Sequence, residues 1–262
     1  MTRPGPGPTD ASARLQQAPA LRKVPEVTVA FWAAKLLTTA LGESASDALV
    51  TTVDPYLAVA GAFVLFAAAL ALQLRVRRYI PWVYWAAVAM VAVFGTMAAD
   101  VLHVVLGAAY AASAAGFAVV LAAVFWLWHR NEGTLSIHSV AAGRSELFYW
   151  AAVCATFALG TAAGDLLAYT AGLGFLTAGI VFAALFAVPL LSRRSVGLPE
   201  TAAFWLAYIL TRPLGASFAD WTGKGPEVGG LGWGDGPVAA ALLILIMFFV
   251  GGLQRRQATA TP

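Results

Sequence analysis

Charge is what this chain has least of. Only 11% of its 262 residues are Asp, Glu, Lys or Arg, against about 25% in a soluble domain, which is too little solvated surface for an ordinary soluble enzyme of this size. Cysteine is absent but for Cys154, which excludes a disulfide framework and every C-x-x-C redox or zinc motif. Histidine occurs only at His103, His129 and His138. Of these only His103 lies in an apolar stretch, and Met90 and Met97 are weak substitutes, so an axial pair for haem is not supplied. The motifs G-x-x-x-x-G-K-[ST], G-x-S-x-G and H-E-x-x-H are all missing. The Gly-rich stretch 223–236 has no strand before it and is not read as a phosphate cradle. No enzyme and no cofactor are expected.

Apolar sequence is what the chain has in abundance, 60% of its residues. That excludes disorder over most of the length, and the lack of period-two alternation excludes a β-barrel. Helices are the remaining way to satisfy every backbone group in lipid. Eight stretches approach the roughly 20 apolar residues that a bilayer core needs, at about 27–49, 56–74, 80–106, 109–128, 146–171, 174–191, 200–221 and 237–253. The expected fold class is an all-α membrane protein, with eight transmembrane helices as four parallel two-helix repeats. Residues 23–253 form its single transmembrane domain. Residues 1–22, rich in Pro, Gly and Ala and without the apolar core of a cleavable signal peptide, are expected as a disordered cytoplasmic tail, and 254–262 as a second short tail. With eight spans, 13 of the 16 Lys and Arg residues collect on the side of both termini, and only Lys224 falls in the opposite loops. The positive-inside rule then places both termini in the cytoplasm of an inner-membrane, multi-pass protein. It also accounts for the net charge of +3 without a nucleic-acid partner; the expected partners are the lipid bilayer and a small cation or proton, and an oligomer is compatible with them.

An internal repeat organises the chain. Trp32, Gly42 and Asp47 recur with the same spacing as Trp85, Gly95 and Asp100, as Trp150, Gly160 and Asp165, and as Trp205, Gly215 and Asp220. The pattern W-x9-G-x4-D thus occurs four times, once in each odd span. The repeats run over about 24–75, 78–129, 144–192 and 198–253. Each copy has an even number of spans, so the copies are parallel, unlike the inverted repeats of many transporters. The stretch from Lys23 through Phe31-Trp32 and Leu41-Gly42-Glu43 to Asp47, with the fourfold repeat, resembles a bacterial integral membrane family of four tandem two-helix repeats of unknown function. That resemblance implies an architecture and carries no activity.

On a helical wheel the polar residues of each odd span share a stripe about 120° wide. In the first it holds Trp32, Lys35, Thr39, Glu43, Ser46 and Asp47; in the second Trp85, Thr96, Asp100 and His103; in the third Trp150, Thr161 and Asp165; in the fourth Trp205, Tyr208, Arg212 and Asp220. A polar stripe in lipid faces protein or water, so four odd helices are expected around a central axis with the even helices outside. A carboxylate at mid-membrane costs about 2.5–3.5 kcal/mol, which calls for partners.

The departures between copies point to one specialised site. Glu43 and Asp47 are four residues apart, Asp100 and His103 three, and both pairs share a helix face. Glu43, Asp47, Asp100 and His103 are the candidate metal ligands, a mixed oxygen and nitrogen set suited to Mn, Fe, Co or Zn. Asp165 and Asp220 complete the candidate ion-binding residues. Lys35 and Arg212 are expected as counter-ions, and Trp32, Trp85, Trp150, Trp205 and Tyr208 as pocket lining. Interfacial anchoring or packing is the alternative for the tryptophans, close helix packing for the glycines and helix capping for the aspartates. The favoured reading is a secondary transporter or exporter of a small cation, such as a proton-coupled divalent metal. The alternatives are a small organic solute carrier and a non-transporting scaffold or sensor subunit.

Overall fold

The computed structural model describes residues 22–104, 106–195 and 197–260. The tail expected over 1–22 therefore lies outside the described residues except for Arg22. Among the described residues eight α-helices follow one another: α1 Val29–Thr52, α2 Pro55–Arg75, α3 Pro81–Val104, α4 Tyr110–Glu132, α5 Arg144–Asp165, α6 Gly174–Ser195, α7 Glu200–Gly223 and α8 Asp235–Ala260. No strand occurs among the described residues. α5 continues as a π-helical turn over Leu166–Thr170, so the aspartate of the third repeat stands where the helix widens.

Local chemistry accounts for the boundaries. Thr28 caps α1 by accepting from the Phe31 amide at 3.3 Å. Asp54 accepts from the Tyr56 and Leu57 amides at 3.0 and 3.1 Å and precedes Pro55, whose fixed φ suits the first helical position. α4 stops at Gly133, which adopts the left-handed conformation (φ 71°) that ends helices without a Cβ penalty. Within the short tail expected over 254–262, α8 runs on to Ala260, since Gln254, Arg255, Arg256, Gln257 and Ala258 are good helix formers.

The odd helices form a closed ring, α1 on α3, α3 on α5, α5 on α7 and α7 back on α1. The repeat glycines mark each crossing. A Cβ at Gly42 would overlap Ala92 and approach its carbonyl carbon to 2.8 Å; one at Gly95 would sit 3.4 Å from the Phe157 Cβ; one at Gly160, 2.5 Å from the Arg212 Cβ; one at Gly215 would overlap Thr39 and come within 3.0 Å of the Ala40 amide nitrogen. Each glycine thus meets the residue three before the glycine of the next copy. Four sequence repeats become four equivalent crossings, and the backbones approach as small residues allow. The even helices lie outside. Each packs chiefly on the odd helix of the following repeat: α2 on α3, α4 on α5, α6 on α7 and α8 on α1.

Six helices, α2 to α6 and α8, are long and apolar enough to cross a membrane. Large apolar side chains stand exposed on the outer ones, among them Phe63, Val64 and Leu65 on α2 and Ile244, Leu245 and Phe248 on α8. Such a surface fits a multi-pass membrane protein and not a solvated one. α1 and α7 do not meet the same criterion. They carry the charges of the stripe, and they are walled by neighbours instead of lipid, with Lys35, Glu43, Arg212 and Asp220 all buried.

Candidate functional site

Ring closure stacks equivalent residues of the four copies in layers along the axis. The residues before the tryptophans, Phe31, Tyr84, Tyr149 and Phe204, are all buried, and the Tyr84 and Tyr149 hydroxyls hydrogen-bond across the bundle. The tryptophans pack beside this layer. Trp85 meets Tyr84 edge-on at 5.2 Å, Trp150 meets Tyr149 at 5.4 Å and Trp205 meets Phe204 at 5.2 Å between ring centroids. Trp205 also donates to the Leu135 carbonyl at 3.0 Å, and Trp32 lies between Phe186 and Phe204. Trp32, Trp85, Trp150, Trp205 and Tyr208, expected as pocket lining, stand here among other aromatic rings, mostly in edge-to-face or tilted contact.

One layer further, Lys35 points inward from α1. Its ammonium is buried, makes no hydrogen bond and lies 3.8 Å from the Phe157 ring centroid and 4.3 Å from that of Tyr208. Among the described residues its partners are these two rings, held by cation–π attraction. Lys35→Met is accordingly expected to leave thermal stability unchanged or to raise it by about 1 kcal/mol, since an apolar group of similar size escapes the desolvation cost; a clear loss in a detergent melting curve would contradict this.

Arg212 occupies the next layer. Its Nη2 pairs with the Glu43 carboxylate and donates to Thr96 Oγ1 at 2.5 Å, and its Nη1 donates to the Thr39 carbonyl at 3.4 Å. The side chain thus starts on α7, passes Gly160, bonds its neighbour α1 and reaches α3 on the far side of the ring. The carboxylates follow. Glu43, Asp47 and Asp220 each bring a carboxylate oxygen within 4.8 Å of the other two. Lys224, just past α7, holds Asp47 at 2.5 Å and Asp235 at 3.2 Å. Burial works against the charge on Lys224, but Asp47, Asp220 and Asp235 outweigh it and hold its pKa above the ordinary lysine value. The stability that the Lys224 charge contributes is therefore complete at neutral pH and declines as pH rises from the ordinary lysine pKa toward that elevated value. Among the described residues Asp220 has no ion-pair partner.

The structure thus brings together Glu43, Asp47 and Asp220 from the expected set and leaves Asp100 and His103 outside the group. His103 Nδ1 is 2.7 Å from the Ala108 carbonyl and its ring is 4.0 Å from that of Tyr110, so the corner between α3 and α4 takes it up. Of the metal set expected at Glu43, Asp47, Asp100 and His103, the structure gathers Glu43 and Asp47 with Asp220, three carboxylates that could hold an ion through oxygen donors alone. Asp100 and Asp165 stand half-buried at the same end. His129 and His138 are exposed. As counter-ions, Arg212 meets Glu43, whereas Lys35 meets only rings.

A family model described as Repeat of Unknown Function (DUF347) matches residues 30–79, 83–134, 148–194 and 203–259. The chain belongs to this DUF347 repeat family. No curated protein and no solved structure matches. The four matched segments coincide with the four two-helix units of the ring.

Two residues of the site were missed in the sequence. Lys224 stood out as the solitary cation on its side of the protein, which is the signal that could have assigned it to the carboxylates. Asp235 carried no such signal, since it lies outside the W-x9-G-x4-D pattern and reaches the site through the loop. There Leu231, Gly232, Trp233 and Gly234 donate to the carbonyls of Trp221, Lys224, Thr222 and Gly223 at 2.7–3.1 Å, folding the chain back over the end of α7.

Proposed function

We propose that this protein is an inner-membrane carrier in which all eight helices cross the bilayer, both termini lie in the cytoplasm, and a small cation is taken at Glu43, Asp47 and Asp220 in exchange for protons. The convergence of these three carboxylates on one point carries the reading. Oxygen-only ligands favour hard ions such as Mg, Ca or Mn over the softer metals. Asp220 is the unpaired ligand. Lys224, between Gly223 and Gly225, is an internal cation that can release Asp47 and keep Asp235 when an ion enters. On the axis below, the unpartnered Lys35 opposes a moving cation while it is charged. Passage then requires that Lys35 give up its proton, which supplies the coupling. No group in this scheme makes or breaks a bond other than to a proton, in keeping with a carrier and not an enzyme.

Proteoliposomes loaded with metal-sensitive and pH-sensitive dyes test the proposal. Flux of a divalent cation is expected in the native protein, and at least a tenfold loss in Asp220→Asn, which breaks no ion pair and leaves the fold intact. Lys35→Met is expected to retain cation movement while the accompanying proton movement disappears. Native flux that Asp220→Asn leaves unchanged would overturn the site. Absence of flux for every cation tested would overturn the carrier reading in favour of an organic solute or a scaffold.

A further inference from the structure

The end of the bundle remote from the carboxylates carries a second feature. A pocket of about 280 Å³ opens between the α2–α3 connection and the last turns of α8, lined by Arg78, Tyr79, Ile80, Gln254, Gln257 and Ala258. Its two walls are tied together, because Gln257 Nε2 donates to the Tyr79 carbonyl at 3.3 Å. Gln254 Oε1 is buried and without a hydrogen-bond partner. Arginine crowds the rim. Arg75 and Arg77 precede Arg78, Arg255 and Arg256 follow Gln254, and all five are exposed. Arg22 joins them, since its carbonyl accepts from the Tyr79 amide at 2.8 Å. Among the described residues Arg22 is the one of these arginines that forms an ion pair, with Glu26 at 3.2 Å.

The wall below the pocket is apolar. Met247 and Ile244, about 45% and 50% exposed, descend from Gln254 on the same face of α8, with Gly251 between Gln254 and Met247. Trp82 rests 3.6 Å from where a Gly251 Cβ would be, and a Cβ at Gly252 would meet nothing within 4 Å. The result is a cationic cup above an open apolar track, edged by a half-exposed tryptophan of the kind enriched at membrane interfaces.

We propose that this pocket binds the headgroup of an anionic phospholipid, with one acyl chain lying along Met247 and Ile244. The volume lies just below the roughly 300–1,000 Å³ of sites that enclose a whole drug-sized ligand, so it takes a phosphodiester headgroup and leaves the chains to the track. Arg78 and Arg255 supply charge to the phosphate oxygens. Gln254 and Gln257 supply amide donors to the same oxygens or accept from a glycerol hydroxyl. The continuity of the cup with the track selects a lipid over a free phosphate, which would gain nothing from Trp82 or Met247. The inference stands apart from the transport reading, because no carboxylate of the axis takes part.

Native mass spectrometry of the purified full chain in detergent, titrated with phosphatidylglycerol, phosphatidylcholine or inorganic phosphate, tests the site. Phosphatidylglycerol is expected to be retained in preference to phosphatidylcholine. Each exposed arginine near an anionic lipid contributes about fivefold in affinity, so Arg78→Gln with Arg255→Gln is expected to lower phosphatidylglycerol retention roughly 25-fold. Ile244→Ser with Met247→Ser, at side chains that are already half-exposed, is expected to weaken lipid retention by removing the apolar track while leaving the fold unchanged. Equal retention of the two lipids, or phosphatidylglycerol retention unaffected by both variants, would overturn the proposal. Inorganic phosphate binding as tightly as the lipid would overturn the lipid assignment and leave an anion site.

Discussion

Arg212→Leu is expected to destabilise the protein by about 3–5 kcal/mol, the range for removing one partner of a buried ion pair. The guanidinium is buried on the axis and serves acceptors from three places, Glu43, Thr96 and the Thr39 carbonyl. Its loss leaves the Glu43 carboxylate buried without compensation. Adding Glu43→Leu to Arg212→Leu is expected to recover most of the loss, because two apolar groups escape the desolvation that two charges incur. Arg212→Lys should fall between, since an ammonium keeps the charge and loses the fork that reaches α1 and α3 together. Unfolding of these three variants, of Glu43→Leu alone and of the native protein in mixed detergent measures the cycle. A double variant no more stable than Arg212→Leu alone would show that the cost lies in packing against Gly160 and not in the stranded carboxylate.

Much of this arrangement was legible before any coordinates. W-x9-G-x4-D fixed the number of units, and the wheel placed the charges on one stripe, because helical periodicity is a local property that each copy states for itself. The depth of each layer followed too, since equal spacing from the tryptophan puts Glu43 level with Thr96 and Lys35 level with Tyr208. What the wheel could not give was the partner across the ring. Arg212 selects Glu43 because α7 neighbours α1 on closure, and Lys35 misses every carboxylate because it points a layer too deep, between Phe157 and Tyr208. His103 shares a helix face with Asp100 in sequence and is nonetheless taken by Ala108 and Tyr110. A face is predictable from one helix, but its occupant depends on the loop and helix that come after. Lys23 shows the same limit. Counted as a solvated positive charge, it is buried on Glu146 at 2.9 Å and donates to the Gln73 carbonyl at 2.7 Å and to that of Val76, because the chain before α1 tucks under the ends of α2 and α5.

Gly215→Ala is the complementary test, of the ring instead of its contents. The added methyl would overlap Thr39 and come within 3.0 Å of the Ala40 amide nitrogen, and backbone cannot give way as a flexible side chain can. A cost of about 1–3 kcal/mol is expected from overpacking, with Gly42→Ala similar because its methyl meets Ala92 down to the carbonyl carbon. Gly95→Ala is expected to be near neutral or mildly stabilising. Its methyl has 3.4 Å to the nearest atom, and alanine gains about 1 kcal/mol over glycine in a helix. The contrast matters because all three occupy the same repeat position, so an explanation from conservation of a motif would predict three equal effects. The site adds a second readout. Gly215 holds α7 against α1, and that contact is what sets Arg212 and Asp220 beside Glu43. Prising α1 from α7 is therefore expected to impair cation flux in Gly215→Ala more than in Gly95→Ala, whose crossing joins α3 to α5 and touches none of the three carboxylates. Equal flux in both variants, with Gly215→Ala destabilised, would mean that the carboxylates hold together without the close approach of the helices that carry them.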